Sequence, residues 1–239
     1  MFNLENANSP NPVSSRGART WDFDKTGFIG VGAYAVYMAT LLIVVTMYGG
    51  TDPSPAVQFQ AYGAGLIAAS VLPIAGLWVA IRWVRRDFAE YLALNWPSSG
   101  ELLRALAIMT ILMSIESAVI SFVRPTTTWP NPYVNANWGL LIFLIGGCIT
   151  VPVMEEFVVR GFVFRGWSES FFGPVRTIML SSVLWALVHM QYNWFEQFWI
   201  FVAGLVLGYI RWQSNSTWLT VVLHSANNII IFFAIGLYP

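Results

Sequence analysis

Two adjacent carboxylates and an arginine, Glu155, Glu156 and Arg160, follow a run from Trp138 to Thr150 that otherwise belongs in hydrocarbon. An ionisable side chain at membrane depth costs about 2.5–3.5 kcal/mol on insertion scales, so a functional reason is the first to look for. Glu156 and Arg160 are four residues apart on one helix face, which suits an ion pair. Glu155 is turned about 100° away and has no partner within its own turn, so it is free to face something else. The plainer reading puts all three charges at the water interface, where long side chains snorkel and merely end a helix. Further polar groups weigh against it. His189 stands in Trp185-Ala-Leu-Val-His189, and His224 and Asn228 stand in His224-Ser-Ala-Asn-Asn228. The last two are four apart and share a face, with Asn227 beside them. These are the chain's only two histidines, and both lie in apolar segments.

Such a set has a chemical use. A carboxylate acts as a general base on water, while histidine and asparagine hold the oxyanion that hydrolysis creates. One glutamate and two histidines are also a zinc-ligand set that leaves a position open for water. Glu155, His189 and His224 are therefore the candidate ligands if zinc is bound, and a route without any metal stays equally open. Neither His-Glu-x-x-His nor Gly-x-Ser-Gly occurs in the chain, which disfavours zincin-type and rhomboid-type proteases.

The elements that must position these groups follow from composition. The chain is 56% hydrophobic and only 10% charged, with mean hydropathy +0.61, where soluble domains are about a quarter charged. This is an all-α, polytopic membrane helical bundle. About 20 apolar residues cross the hydrocarbon, and that rule yields about seven spans: 28–48, 58–81, 102–123, 138–159, 176–193, 196–212 and 217–237. The fourth can run on as helix past 160, since no strong breaker precedes Gly166, and Pro152 can kink it beside Glu155. Residues 1–25 read as a disordered cytoplasmic tail and 26–239 as one transmembrane domain. Arg16, Arg19, Lys25, Arg82, Arg85, Arg86, Arg104, Arg165, Arg176 and Arg211 all fall on one side of seven crossings, and Arg124 alone falls on the other. That bias puts the N-terminus in the cytoplasm. Phe88, Tyr91 and Leu92 recur at helical spacing among charges, predicting a helix near 85–96 lying on the cytoplasmic surface. Ser98 and Glu101 form a capping box for the third span. Zero net charge and a single lysine exclude a nucleic-acid partner. Cys148 is alone, so disulfides play no part.

Glu-Glu-x-x-x-Arg, aromatic-x-x-x-His and His-x-x-x-Asn on successive spans resemble the CPBP family of intramembrane proteases. That family includes the type II CAAX prenyl endopeptidases and bacterial relatives described as Abi or bacteriocin self-immunity proteins. The likeness covers about residues 100–235, including Gly204-x-x-x-Gly208-Tyr-Ile-Arg211 and Asn215-Ser-Thr-Trp218. It implies that Glu155 is the catalytic glutamate and that Glu156 and Arg160 support it. His189 and His224 would polarise water or the substrate carbonyl, and Asn228 would stabilise the oxyanion. Trp185 departs from the pattern, which more often has phenylalanine there.

The implied activity is an intramembrane endopeptidase acting on a membrane-associated or lipidated peptide or protein. The setting would be the inner membrane of a bacterium, with the lipid bilayer as solvent and a membrane-protein complex as a further partner. The alternative is a catalytically silent scaffold or assembly factor that binds another membrane protein. Three readings concern single residues. Glu116, mid-span, either lines the same cavity or bonds a neighbouring helix. Gly204 and Gly208 pack helices within the monomer. Glu196, at an external turn, is solvated.

Overall fold

The computed structural model describes residues 21–50, 54–123 and 138–237, and among these there are helices and no strands. The helices are α1 (Phe23–Gly49), α2 (Pro55–Trp83), α3 (Phe88–Tyr91) and α4 (Ser99–Val123). A continuous helical run over 138–168, here α5, is followed by α6 (Gly173–Leu187), α7 (Trp194–Ser214) and α8 (Thr217–Leu237). Four helices are long and apolar enough to cross a membrane: α1, α2, α4 and α5. Helix α6 has 15 residues, a rise of roughly 22 Å, and falls short of a full span. Seven helices follow the expected order, but they are not seven equal crossings. The expected external loop and Arg124 lie outside the described residues, as does most of the expected tail. Helix α1 starts at Phe23, inside the last residues assigned to that tail.

Helix α5 carries the carboxylates and is the spine of the structure. It continues past 160 to Ser168 as expected, but it is not a regular α-helix. Gly146–Thr150 and Phe157–Val163 are wound as π-helix on either side of the α-helical Val151–Glu156. Pro152 accounts for the first widening, because its ring would clash with the carbonyl four residues back and it has no N–H to donate there. Releasing one residue into a π-turn relieves both problems, and such turns cluster at functional sites.

Two apolar clusters flank this spine. Tyr37, Leu66, Leu77, Ile81, Tyr91, Leu92, Met154, Phe157 and Phe162 join α1, α2 and the α3 region to one side of α5. Trp185, Leu207, Leu219, Leu223 and Met109 form the second. Glycines set the close approaches. A Cβ on Gly63 would lie 2.6 Å from Phe143 N, so α2 meets the α5 backbone directly. Gly204 and Gly208 press α7 onto Ser182 and Ile178 of α6, within one chain, as the sequence predicts.

The stretch expected as a surface helix over 85–96 does something else. Only Phe88–Tyr91 is helical, and Tyr91, Leu92 and Ala93 are almost wholly buried. The Leu92 carbonyl accepts from Thr217 Oγ1, the Ala93 carbonyl accepts from Thr217 N at 2.9 Å, and Asn95 Nδ2 donates to Asn215 O at 3.0 Å. The segment is a plug under the start of α8 rather than a float on the surface. The Ser98–Glu101 capping box does form, with Glu101 Oε2 accepting from Ser98 N at 2.8 Å. Glu196 is not merely solvated: it completes a second capping box with Asn193 at the head of α7.

Candidate active site

Sequence spacing leaves a discrepancy of depth. His189 lies 16 residues from the start of α6, about 24 Å, whereas His224 lies seven from the start of α8, about 10 Å. The plug resolves it. A Cβ on Gly161 would meet Leu92 at 3.0 Å, and Leu92 in turn holds Thr217. Helix α8 therefore begins level with Gly161, inside the protein, where Ser216 and Thr217 are fully buried. From there seven residues up α8 and five or six back along α5 reach the same level, about 8–10 Å away. His189 lies beyond the end of α6, in the turn that starts at Val188, rather than within a span. Tyr34 Oη of α1 donates to the Val188 carbonyl at 3.2 Å and fastens that turn.

Five of the six sequence-predicted residues converge in two tiers. In the first, Glu156 Oε1 accepts from Arg160 Nη1 and from His224 Nδ1, both at 2.9 Å. Glu156 has no exposure, Arg160 only 2% and His224 5%. Arg160 also donates from Nη2 to Gly204 O at 3.4 Å, and its carbonyl accepts from Arg211 Nε at 2.9 Å. Arg211, read from the sequence as a loop-end cation, is buried and braces the clamp from α7.

In the second tier Glu155 is held only on one oxygen. Its Oε2 accepts from Trp185 Nε1 at 2.8 Å, and its Oε1 stands 3.9 Å from His189 Nε2. That imidazole is oriented from behind, with Nδ1 2.6 Å from the Trp185 carbonyl. A carbonyl only accepts, so Nδ1 carries a proton and Nε2 is the ring nitrogen that faces Glu155. A separation of 3.9 Å is too long for a direct hydrogen bond and wide enough for one bridging water.

Asn228 is the residue placed apart. Its Nδ2 donates to Gly147 O at 3.0 Å, in the first π-helical turn, so one of its two N–H groups is committed to α5. The zinc set does not assemble either. Among the described residues no three His, Cys, Asp or Glu side chains gather as ligands, and His224 Nδ1 is bonded to Glu156 rather than turned toward Glu155. Zinc ligands stand within about 2.0–2.2 Å of one ion, and these three side chains do not present that arrangement.

Two contributors escaped the sequence reading. The indole N–H of Trp185 was visible only as aromatic bulk four residues before His189. Tyr34 lies about 150 residues upstream of the turn it fastens, and no motif marks it.

The class that the fold defines is an all-helical integral membrane protein, and within it a buried carboxylate faces a histidine. The comparisons agree at the level of family. Residues 137–230 match the family model described as type II CAAX prenyl endopeptidase Rce1-like, which bears out the resemblance of the motifs and contains all six site residues. The match spans 94 of the 239 residues and leaves α1 to α4 outside it. No curated protein and no solved structure matches the chain. The family supports a CAAX-type intramembrane protease working on a peptide in the bilayer.

Proposed function

We propose that this chain is an intramembrane endopeptidase that hydrolyses a peptide bond of a membrane-associated or lipidated peptide or protein. The observation that carries the reading is the contrast between the tiers. Glu156 is sealed from solvent and its Oε1 carries both a guanidinium and an imidazole, whereas Glu155, its neighbour in the chain, bonds no cation and keeps Oε1 facing His189 across 3.9 Å. A structural salt bridge needs only the first tier.

In this reading a water sits between Glu155 Oε1 and His189 Nε2. The carboxylate takes one of its protons as the oxygen attacks the substrate carbonyl carbon. The tetrahedral oxyanion is met from α8 by the second amide N–H of Asn228, one turn beyond His224, which Glu156 holds at Nδ1. Collapse breaks the C–N bond, and Glu155 returns its proton to the leaving amine. The arginine bias of the sequence supports a cytoplasmic side for the α3 plug and the N-terminus, and the setting in this reading is a bacterial inner membrane.

The test does not require the substrate to be known. Membranes carrying the wild-type chain or Glu155→Gln are incubated, and new protein N-termini are mapped by mass spectrometry. A farnesylated fluorogenic CAAX peptide is run in parallel. The reading predicts termini and fluorescence that depend on Glu155 and on His189. Identical patterns from wild type and Glu155→Gln would sink it in favour of the scaffold.

A further inference from the structure

Trp185 lies where the two tiers meet, and three parts of its indole are in use. Its Nε1–H bonds Glu155 Oε2 at 2.8 Å, and the Arg160 guanidinium lies 4.3 Å from its ring centroid. The rings of His189 and His224 each approach edgewise with centroids 5.3 Å away. The residue is 6% exposed, so no water competes freely for the N–H.

These contacts have a geometric consequence for Glu155. The terminal torsion of a glutamate is broad and roughly two-fold, so an untethered carboxylate exchanges its oxygens freely. A hydrogen bond from a buried donor to one oxygen ends that freedom. With Oε2 bound to the indole, the oxygen left facing His189 Nε2 is Oε1. The indole in turn is fixed from its face by Arg160, which Glu156 holds. The buried Glu156–Arg160 pair thus aims Glu155 through the tryptophan, although the two glutamates point to different partners.

We infer that Trp185 is a positioning residue for the hydrolysis proposed above, its indole N–H pinning Glu155 Oε2 so that Oε1 is the oxygen that receives the proton from water. The inference rests on the hydrolase reading for its consequence, but the contact itself can be tested without turnover. Phenylalanine at this position fills the ring volume and supplies no donor, which makes Trp185→Phe the informative change.

The experiment has two arms. The full chain is labelled with 15N-tryptophan in detergent micelles, and the Trp185 indole resonance is identified among the 12 by its loss in Trp185→Phe. Glu155→Ala should shift that resonance and leave the other indoles in place. Should Trp185→Phe fail to fold, loss of the resonance in Trp185→Tyr identifies it instead, and if Glu155→Ala moves none of the 12 indoles the inference falls without any assignment. In the kinetic arm, run on the best-cleaved sequence from the N-terminus mapping, Trp185→Phe should lower kcat roughly tenfold to a hundredfold with KM within about twofold. This is the size expected for a lost hydrogen bond to a charged group. A merely structural role would lower thermal stability without separating kcat from KM. An indole resonance indifferent to Glu155, or a Trp185→Phe enzyme with unchanged kcat, overturns the inference. Turnover that survives Glu155→Gln overturns the hydrolase reading instead, so the two failures are distinguishable.

Discussion

Breaking the buried clamp on one side only should damage the fold more than removing it altogether. Arg160 and Glu156 are 2% and 0% exposed and meet at 2.9 Å, and neither has water to fall back on. Deleting one partner of such a pair costs about 3–5 kcal/mol, because the other charge is left buried and uncompensated. At about 2–4 °C per kcal/mol for a chain of this size, that is a fall in Tm of roughly 6–20 °C. The two single changes should not be equal. In Arg160→Met, Glu156 keeps His224 and can itself be neutralised by a proton. In Glu156→Gln, the guanidinium cannot shed its charge and is left with neutral acceptors only, the new amide oxygen, Gly204 O and the Trp185 face, so this variant should be the worse. The double variant Glu156→Gln with Arg160→Met leaves no charge and still offers His224 an amide oxygen. Replacing a buried ion pair with neutral groups is often close to neutral, so its Tm should lie nearer to wild type than either single change. Scanning fluorimetry of the three proteins in one detergent decides the matter. Single variants within about 2 °C of wild type, or a double variant that falls by the sum of the singles, would refute the clamp.

Gly63→Ala should lower Tm, since its Cβ would press on Phe143 backbone atoms that cannot give, at about 1–3 kcal/mol, whereas Gly76→Ala, with open space around it, should raise Tm slightly. Asn228→Ala frees the Gly147 carbonyl and should cost about 1–3 kcal/mol in thermal stability as well as turnover, while a purely catalytic Asn228 would leave Tm unchanged. Thr217→Val removes the donor that the Leu92 carbonyl relies on, and hydrogen exchange should then speed up over 91–95 more than in α1 or α2.

Much of the site was legible because membrane cost makes polar residues rare. Against an apolar background, Glu155, Glu156, Arg160, His189, His224 and Asn228 stand out one by one, and i, i+4 spacing is enough to pair Glu156 with Arg160. The helical class follows from hydropathy for the same reason. Boundaries were harder to read. A run such as 176–193 looks continuous to a hydropathy count, yet α6 stops at Leu187 because the turn after it is secured by Tyr34 from a distant helix. The 85–96 stretch has the pattern of a surface helix, and only its contacts with Thr217 and Asn215 show that Tyr91, Leu92 and Ala93 face inward.

By itself, then, the sequence determined the helical membrane class, the polar residues that could do chemistry and the pairing of Glu156 with Arg160, all of which depend on local period and transfer cost. Tertiary structure decided the rest. It set the height at which α8 begins, gave His224 to Glu156 rather than to Glu155, turned Asn228 toward a π-helical carbonyl and made the Trp185 indole a donor to Glu155. Each of these depends on which atoms of distant helices reach one another to within about 3 Å, a relation that spacing along one helix does not contain.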